Sequence, residues 1–358
     1  MTWPIKKLNE VLEYEQPTKY LVSSTDYKEE YLTPVLTAGK SFVLGNTNEK
    51  NGIFPKEKLP VIIFDDFTTA IKFVDFPFKV KSSAMKILHA KKNVADIRYT
   101  FYKMLTMKFS HAQHKRYWIS ECSNIKIPLP PLAIQKQIVE RLDKIAETQK
   151  MNDGLIKKTD ELFQSLLHKE LNPAGKDWEV KKLVEVADFL DNLRKPVTAS
   201  DRVSGPYPYY GANGQQDSVG DYIFDDELVL LAEDGGYFGS KTRPVAYRVS
   251  GKCWINNHAH VLKNKNEVSD IDFLGYSLMF YDVTPYVTGS TRAKLNKSAA
   301  EKIKISLPSL KIQKQIVVKL SAVQDYKKQL LEQKSKLKEL FDSALGKSMA
   351  SDKKSKDA

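Results

Sequence analysis

The sequence predicts an α/β (α+β) protein made by internal duplication: two bodies, each a mixed curved sheet with helices, separated by two long helices that pair as a coiled coil. Three observations predict it. Residues 125–139 read IKIPLPPLAIQKQIV and residues 303–317 read IKISLPSLKIQKQIV, a register of 178 residues (Ile134 to Ile312). The same register carries ELFQSLL at 161–167 onto ELFDSAL at 339–345. Each half also opens alike, with WPIKKLNEV from Trp3 and WEVKKLVEV from Trp178. The repeated unit is therefore a whole half, a body followed by a long helix. The frame is repeated more closely than the bodies, as expected if the two bodies handle different targets.

Body one, about 14 to 124, breaks into short β-rich apolar runs ended by Gly, Pro, Asn or Asp. Residues 31–39, 41–45, 59–67, 76–81 and 84–88 read as strands, 48–52 (NEKNG) as a hairpin turn, and Ala95 to about Phe109 as a helix. A basic, aromatic loop follows, with His111, His114, Lys115, Arg116, Tyr117 and Trp118. Pro130 and Pro131 then mark the entry to the first long helix, where no amide donor is needed. Its apolar spacing alternates four and three through Ile138, Leu142, Ile145, Gln149, Asn152, Ile156, Thr159, Phe163 and Leu166, a heptad seam with a polar middle. The next proline is Pro173, so the helix runs to about 39 residues, or roughly 58 Å.

Body two has the same grammar with more glycine. Strands are read at 220–226, 228–234, 244–251 and 258–263, and a helix from Ile271 to about Tyr281. A small-polar loop with a positive end follows, containing Thr291, Arg292 and Lys294. Pro308 opens the second long helix, whose seam is Ile316, Leu320, Val323, Lys327, Leu330, Lys334, Leu337, Phe341 and Ala344. Both seams carry polar residues at the same heights. That predicts helices packed on each other, not each lying on its own body. The boundaries fall at 1–127, 128–171, 172–305 and 306–349, with a disordered tail at 350–358.

Lys and Arg exceed Asp and Glu by twelve, which suits a polyanionic partner, nucleic acid before membrane surface. The two cysteines, Cys122 and Cys253, form no CxxC, which fits a reducing cytoplasm. The N-terminus has no signal-peptide apolar core, and no apolar run reaches the length of a membrane span.

Catalytic motifs are missing. Ala38-Gly39-Lys40-Ser41 imitates the end of a phosphate loop, but Pro34 stands where the first glycine belongs. Cys253, His258 and His260 have no fourth ligand and no standard zinc spacing, so no metal is expected. Nucleic-acid contacts are better supported. In body one, Lys115 and Arg116 can neutralise phosphates while Trp118 lies against sugars or bases; the alternative is a solvated loop whose aromatics belong to the core. In body two, the clusters YYGANG (209–214), DGGY (234–237) and NNHAH (256–260) join small residues to amide and imidazole groups that can read base edges. They offer Tyr210, Asn213, Tyr237, Asn257 and His258, beside Lys241, Arg243, Thr291, Arg292 and Lys294. Tight turns would account for any one cluster alone.

On the two IPLPPLAIQKQIV-type repeats, the paired ELFxS segments and the YYGANG, LLAEDG and NNHAHVL motifs, the chain resembles the specificity subunit of type I restriction-modification enzymes over essentially its whole length. The resemblance implies two target-recognition domains, each reading half of a split DNA site, related by a pseudo-twofold axis. It implies an antiparallel coiled coil that sets the gap. Two methyltransferase subunits would dock there and hold the S-adenosylmethionine. Restriction (motor-nuclease) subunits would bring ATP and Mg. This chain itself would be cytoplasmic, non-catalytic and free of cofactors. Body one departs from the family wording, with SSAMKIL (82–88) against NNHAHVL and FDDFTTA (64–70) against AEDGGYF. By position its reading residues are placed near Thr68, Thr69, Lys72, Ser82 and Ser83. The alternative is a coiled-coil scaffold binding proteins through two β-rich heads.

Overall fold

The structure is a computed structural model and describes residues 3–37, 41–107, 117–240, 242–289 and 293–350. In chain order the elements of the first body are β1 (Ile5–Lys7), α1 (Leu8–Val11), β2 (Leu12–Glu15), β3 (Thr33–Leu36), β4 (Val43–Thr47), β5 (Val61–Asp65), β6 (Ile71–Val74), β7 (Lys79–Val80), β8 (Met85–Ala90), α2 (Ile97–Leu105), α3 (Tyr117–Ser120) and β9 (Lys126–Pro128). The long helix α4 (Leu132–Leu171) follows. The second body has β10 (Glu179–Lys182), α5 (Leu183–Val186), β11 (Ala187–Phe189), β12 (Ser204–Gly211), β13 (Gly214–Val219), β14 (Phe224–Ala232), β15 (Ala246–Ile255), β16 (Ala259–Asn264), α6 (Ile271–Phe280), α7 (Lys297–Ala300) and β17 (Lys304–Leu307). The long helix α8 (Leu310–Met349) closes the order. Two compact units result, Met1–Asp153 with Gln333–Ala358, and Gly154–Glu332, so the division falls inside both long helices.

The two bodies share one topology. In the first unit a four-stranded sheet runs β2-β8-β5-β6 and a three-stranded one β4-β3-β7, with β3 and β7 parallel. In the second unit a single sheet runs β11-β16-β14-β15-β12-β13. Its long strand β15 pairs with β14 and then runs parallel to β12, Trp254 opposite Tyr209. The first body follows the same path in two pieces, β6 on β5 and β7 on β3. The break holds Pro77, which cannot donate to a ladder.

Several expected elements shift. The strands read at 220–226 and 228–234 are one strand, because Asp226 and Glu227 stay in register opposite Gly251 and Ser250. Strands β1, β2, β6, β10, β11, β12 and β13 were not anticipated. The turn expected at 48–52 does not close a hairpin, because β4 pairs back with β3. That segment leads onward instead. Glu49 holds it by accepting from the amides of Ser23 and Ser24 and pairing with Lys79 at 2.8 Å. The helix expected over 95–109 appears as Ile97–Leu105, started by Asp96, whose side chain accepts from the amides of Arg98 and Tyr99. The tail from Ser351 lies outside the described residues.

The repeated frame has a physical basis. Each body is closed by a two-stranded ribbon, β1 with β9 and β10 with β17. The amide of Leu8 donates to Ile125 O, and that of Leu183 to Ile303 O. The first glutamine of each IQKQ is fully buried. Gln135 accepts from the Asp96 amide and donates to Pro130 O; Gln313 accepts from the Asp270 amide and donates to Pro308 O. One side chain thus fastens the helix entry to the cap of the body's own helix.

Both long helices have 40 residues. The apolar part of the expected seam faces inward: Leu142, Phe163, Ile316, Leu320 and Leu330 are buried, and Ile138, Ile145, Ile156, Leu166, Val323, Leu337 and Phe341 are half-buried, whereas Lys334, expected in the same seam, is exposed. In the first unit Gln149 donates to Leu337 O and Asp153 pairs with Lys334 at 2.9 Å. In the second, Asp160 pairs with Lys327 at 2.5 Å and Glu170 with Lys319 at 3.0 Å. Partners descend α8 as they climb α4, so the pair is antiparallel. The helix ends also complete the body cores. Leu142, Ala344 and Met349 join the first core, and Phe163, Leu167, Ile316 and Leu320 join the second. Full burial of a Leu, Ile, Phe or Met side chain contributes about 1.5–3 kcal/mol.

Candidate nucleic-acid interface

In the second unit four chain segments meet at Glu233, just past the end of β14. Its amide donates to His258 O at 2.8 Å, and its carbonyl accepts from the Leu295 amide at 2.7 Å. Its carboxylate takes Arg194 Nη1 at 2.8 Å and Lys294 at 3.1 Å. Arg194 also donates to Ala259 O at 2.7 Å and to Asn257 O at 3.4 Å. Fully buried His260 spans the same knot, with Nδ1 2.6 Å from Asp191 and Nε2 2.8 Å from Leu295 O. The Asp191 carboxyl is held below its ordinary range. Burial pushes it up, but His260, the Val261 amide and Arg194 together outweigh that.

These bonds fix three polar loops. Asn213, at the β12–β13 turn, donates to Gly235 O at 2.8 Å. Gly235 has φ +65°, which a side chain would strain. Gly211 is constrained by space, since a Cβ there would lie 2.4 Å from Gln216 and 2.9 Å from Asn256. His258 Nδ1 lies 2.5 Å from Asp234. Asn213, Tyr237, Arg243, Asn257 and Lys294 are exposed and His258 is half-buried. The Arg243 guanidinium lies 4.4 Å over the Tyr237 ring.

Not every expected residue is presented. Tyr210 is half-covered, 6.1 Å from Tyr247, and backs the hairpin. Lys241, Thr291 and Arg292 lie outside the described residues. So do His111, His114, Lys115 and Arg116. Trp118 requires a correction. It is not on a surface loop but in α3, 2% exposed, with its ring 5.3 Å from Phe64. Tyr117 is buried beside it. Their apolar area turns them into the core, where a base cannot reach.

The first body repeats the knot with other residues. Phe64 stands opposite Lys86 as Leu231 stands opposite His260, so Asp66 corresponds to Glu233. The Asp66 amide donates to Ala84 O at 3.2 Å, and its carbonyl accepts from Tyr117 at 3.3 Å. Its carboxylate accepts from the Trp118 amide at 2.7 Å and pairs with buried Lys86 at 3.3 Å. Thr69 also requires correction. It is 6% exposed, with φ 56°, and its hydroxyl donates to Thr68 O. Phe67, Thr68 and Ala70 are the exposed residues of that hairpin. Lys72 and Ser83 are exposed, and half-buried Ser82 accepts from the Ala84 amide.

The ligand atoms of Asp191, Glu233 and His260 lie within 4.8 Å of one another. Arg194 and Lys294 already supply the positive charge there, so the group is a salt-bridge knot and does not fit a metal. Cys253 stands apart from it, buried among Phe224, Val249 and Val261. Burial pushes its thiol up to about 11, which leaves it protonated.

Arg194, Asp191, Glu233 and Lys86 were not anticipated as functional. Their partners come from distant strands, so no local spacing marks them. Only the Asp191–Arg194 spacing of three hints at a pair.

The chain is thus a duplicated fold of two diverged bodies, each sharing its core with the paired helices. Residues 1–159 and 175–340 both match the type I restriction modification DNA specificity domain, and the chain belongs to that family. It is similar to the EcoR124I/EcoR124II type I restriction enzyme specificity subunit of Escherichia coli, 53% identical over 147 residues, covering 38% of this chain and 36% of that one. It is also similar to a putative specificity subunit of Haemophilus influenzae, 42% identical over 149 residues, covering 42% and 38%. Against these two, the chain spans little more than a third of the relative's length. The MjaVIII specificity subunit of Methanocaldococcus jannaschii is 29% identical over 331 residues, covering 75% and 72%. Among solved structures, the type I S subunit from M. genitalium has a TM-score of 0.68 at 15% identity, covering 98% and 96%. At that identity the likeness is one of fold.

Proposed function

We propose that this chain reads duplex DNA for a type I restriction-modification complex. Each body reads one half of an asymmetric, split site. The paired helices set the gap and dock two methyltransferase subunits, which hold the S-adenosylmethionine. Restriction subunits supply the ATP- and Mg-dependent steps, and this chain does no chemistry itself. One observation carries the reading. Asn213, Tyr237, Asn257, His258 and Lys294 are presented on loops fastened together at Glu233. Amide side chains can make bidentate bonds to adenine edges, and lysine neutralises phosphate.

Sequencing the methylated bases of a host carrying the whole complex tests it. The expected motif is two unlike half-sites with an unspecified gap. A continuous or symmetric motif overturns the two-reader assignment. Titration of the chain with its methyltransferase partners on random duplex should show affinity falling steeply with salt. A flat salt response favours a scaffold that binds proteins instead.

A further inference from the structure

We propose that Glu233 in the second body and Asp66 in the first are the positioning residues of the two reading surfaces. Each fixes, in its own body only, the arrangement of the loops that meet DNA. This rests on the DNA-reading assignment above and goes beyond it, because neither residue is placed to touch a base.

The argument starts from the backbone. Glu233 and Asp66 occupy matched places two residues beyond matched ladder pairs. Each donates its amide to the loop leading into the next inner strand, at His258 O and Ala84 O. Each accepts at its carbonyl from the segment that follows the body helix, at Leu295 and Tyr117. One residue therefore ties three loops that are far apart in sequence.

The side chains repeat this by different means. Glu233 takes Arg194, and Arg194 in turn holds the carbonyls of Asn257 and Ala259. Asp66 takes the Trp118 amide and the buried Lys86 ammonium. In both bodies an acid is matched by an internal cation. The identities differ: Arg194 on one side, Lys86 on the other. Buried or half-buried charge is costly to keep unless it is paired. Its presence at the same node in two diverged bodies points to a demand on geometry. Freed of that node, the loop bearing Asn257 and His258 loses its carbonyl anchors while the sheet beneath keeps its ladder.

The test is selection from a randomised duplex library, using the full chain assembled with its methyltransferase subunits. The wild-type complex is expected to enrich a bipartite motif. Glu233→Gln keeps size and backbone but weakens the charged bonds. It should blur only the second body's half-site, lowering discrimination there by roughly ten- to a hundredfold. Asp66→Asn should do the same to the other half-site alone. Arg194→Gln attacks the same node from the opposite side and should reproduce the Glu233→Gln pattern, and Glu233→Asp should restore part of it. Melting curves of each complex check that the fold persists.

Blurring of both half-sites together, or of neither, overturns the positioning role, since a general loss of stability would not choose a half. If a Glu233 variant does not fold, Arg194→Gln decides by the same pattern. A wild-type complex that enriches nothing overturns the DNA-reading assignment itself, and this inference with it.

Discussion

Asn256 and Asn257 are neighbours with opposite roles. Asn256 is 3% exposed; its side chain accepts from the His258 amide and donates to Gln216. Asn257 is exposed, and among the described residues only its carbonyl is taken, by Arg194. Asn257→Ala should therefore reduce discrimination at one base pair of the second half-site by about 1–3 kcal/mol. Its effect on stability should stay within about 0.5 kcal/mol. Competition binding with single-base duplex variants, alongside melting curves, measures both. The sequence showed NNHAH as one polar cluster but not which members face inward. That is decided when His260 falls opposite Leu231 and Ala259 opposite Ala232, a pairing with residues nearly thirty positions away. Trp118 was misread for the same reason, since its basic neighbours in sequence are not its neighbours in the core. A pH response belongs at this scale too. The folded Asp191 carboxyl lies below its ordinary value of 3.8. A lowered folded value adds stability above the unfolded value, and that stability is lost as pH falls through the folded one. Asp191→Asn should lower the melting temperature at neutral pH yet flatten its fall below about pH 4. An acid limb as steep as the wild type's would count against Asp191 as a source.

At the scale of elements, what could be read was what is local. The two long helices and their seams follow from a heptad pattern that needs no distant partner. Helix α6 was placed within a residue for a similar reason, an apolar run behind Asp270, whose side chain accepts from the amides of Asp272 and Phe273. Strands β12 and β13 were missed because Gly205, Pro206, Pro208 and Gly211 look like turn residues. They are tolerated because β12 is irregular, with register shifts between Ser204 and Tyr207 and between Tyr209 and Tyr210. The repeated glutamine was visible as a letter, but its work was hidden, since it bonds a backbone amide some forty residues away. Gln313→Leu matches its bulk but leaves the Asp270 amide and Pro308 carbonyl unpaired. The expected cost is about 1–3 kcal/mol per group left unpaired. Gln135→Leu should cost the first unit a similar amount. Denaturant midpoints of single and double variants measure this, and a neutral single variant would mean that water replaces the side chain.

For the whole molecule, the long helices serve two structural duties. Each gives one half to each unit, and the halves are matched by Asp153 with Lys334 in one and Asp160 with Lys327 in the other. Exposed pairs of this kind contribute little energy, about 0–1 kcal/mol each. Their value is register, and the apolar seam supplies the stability. A heptad inserted at Asp153–Gly154 of α4 alone keeps the seam's face but lengthens one helix by about 10.5 Å. The second unit could then be satisfied only if the first gave up its contacts. The expected outcome is a lower melting temperature and loss of bipartite recognition. A matching heptad at Glu332–Gln333 of α8 lets both units keep their cores and pairs. With the two insertions together, melting should recover and the selected gap should grow by roughly three base pairs, at 3.4 Å each. Methylome sequencing of hosts carrying each version reads the gap directly. An unchanged gap after the matched insertion would show that the helices do not measure it, and the spacing would then have to come from the methyltransferase subunits.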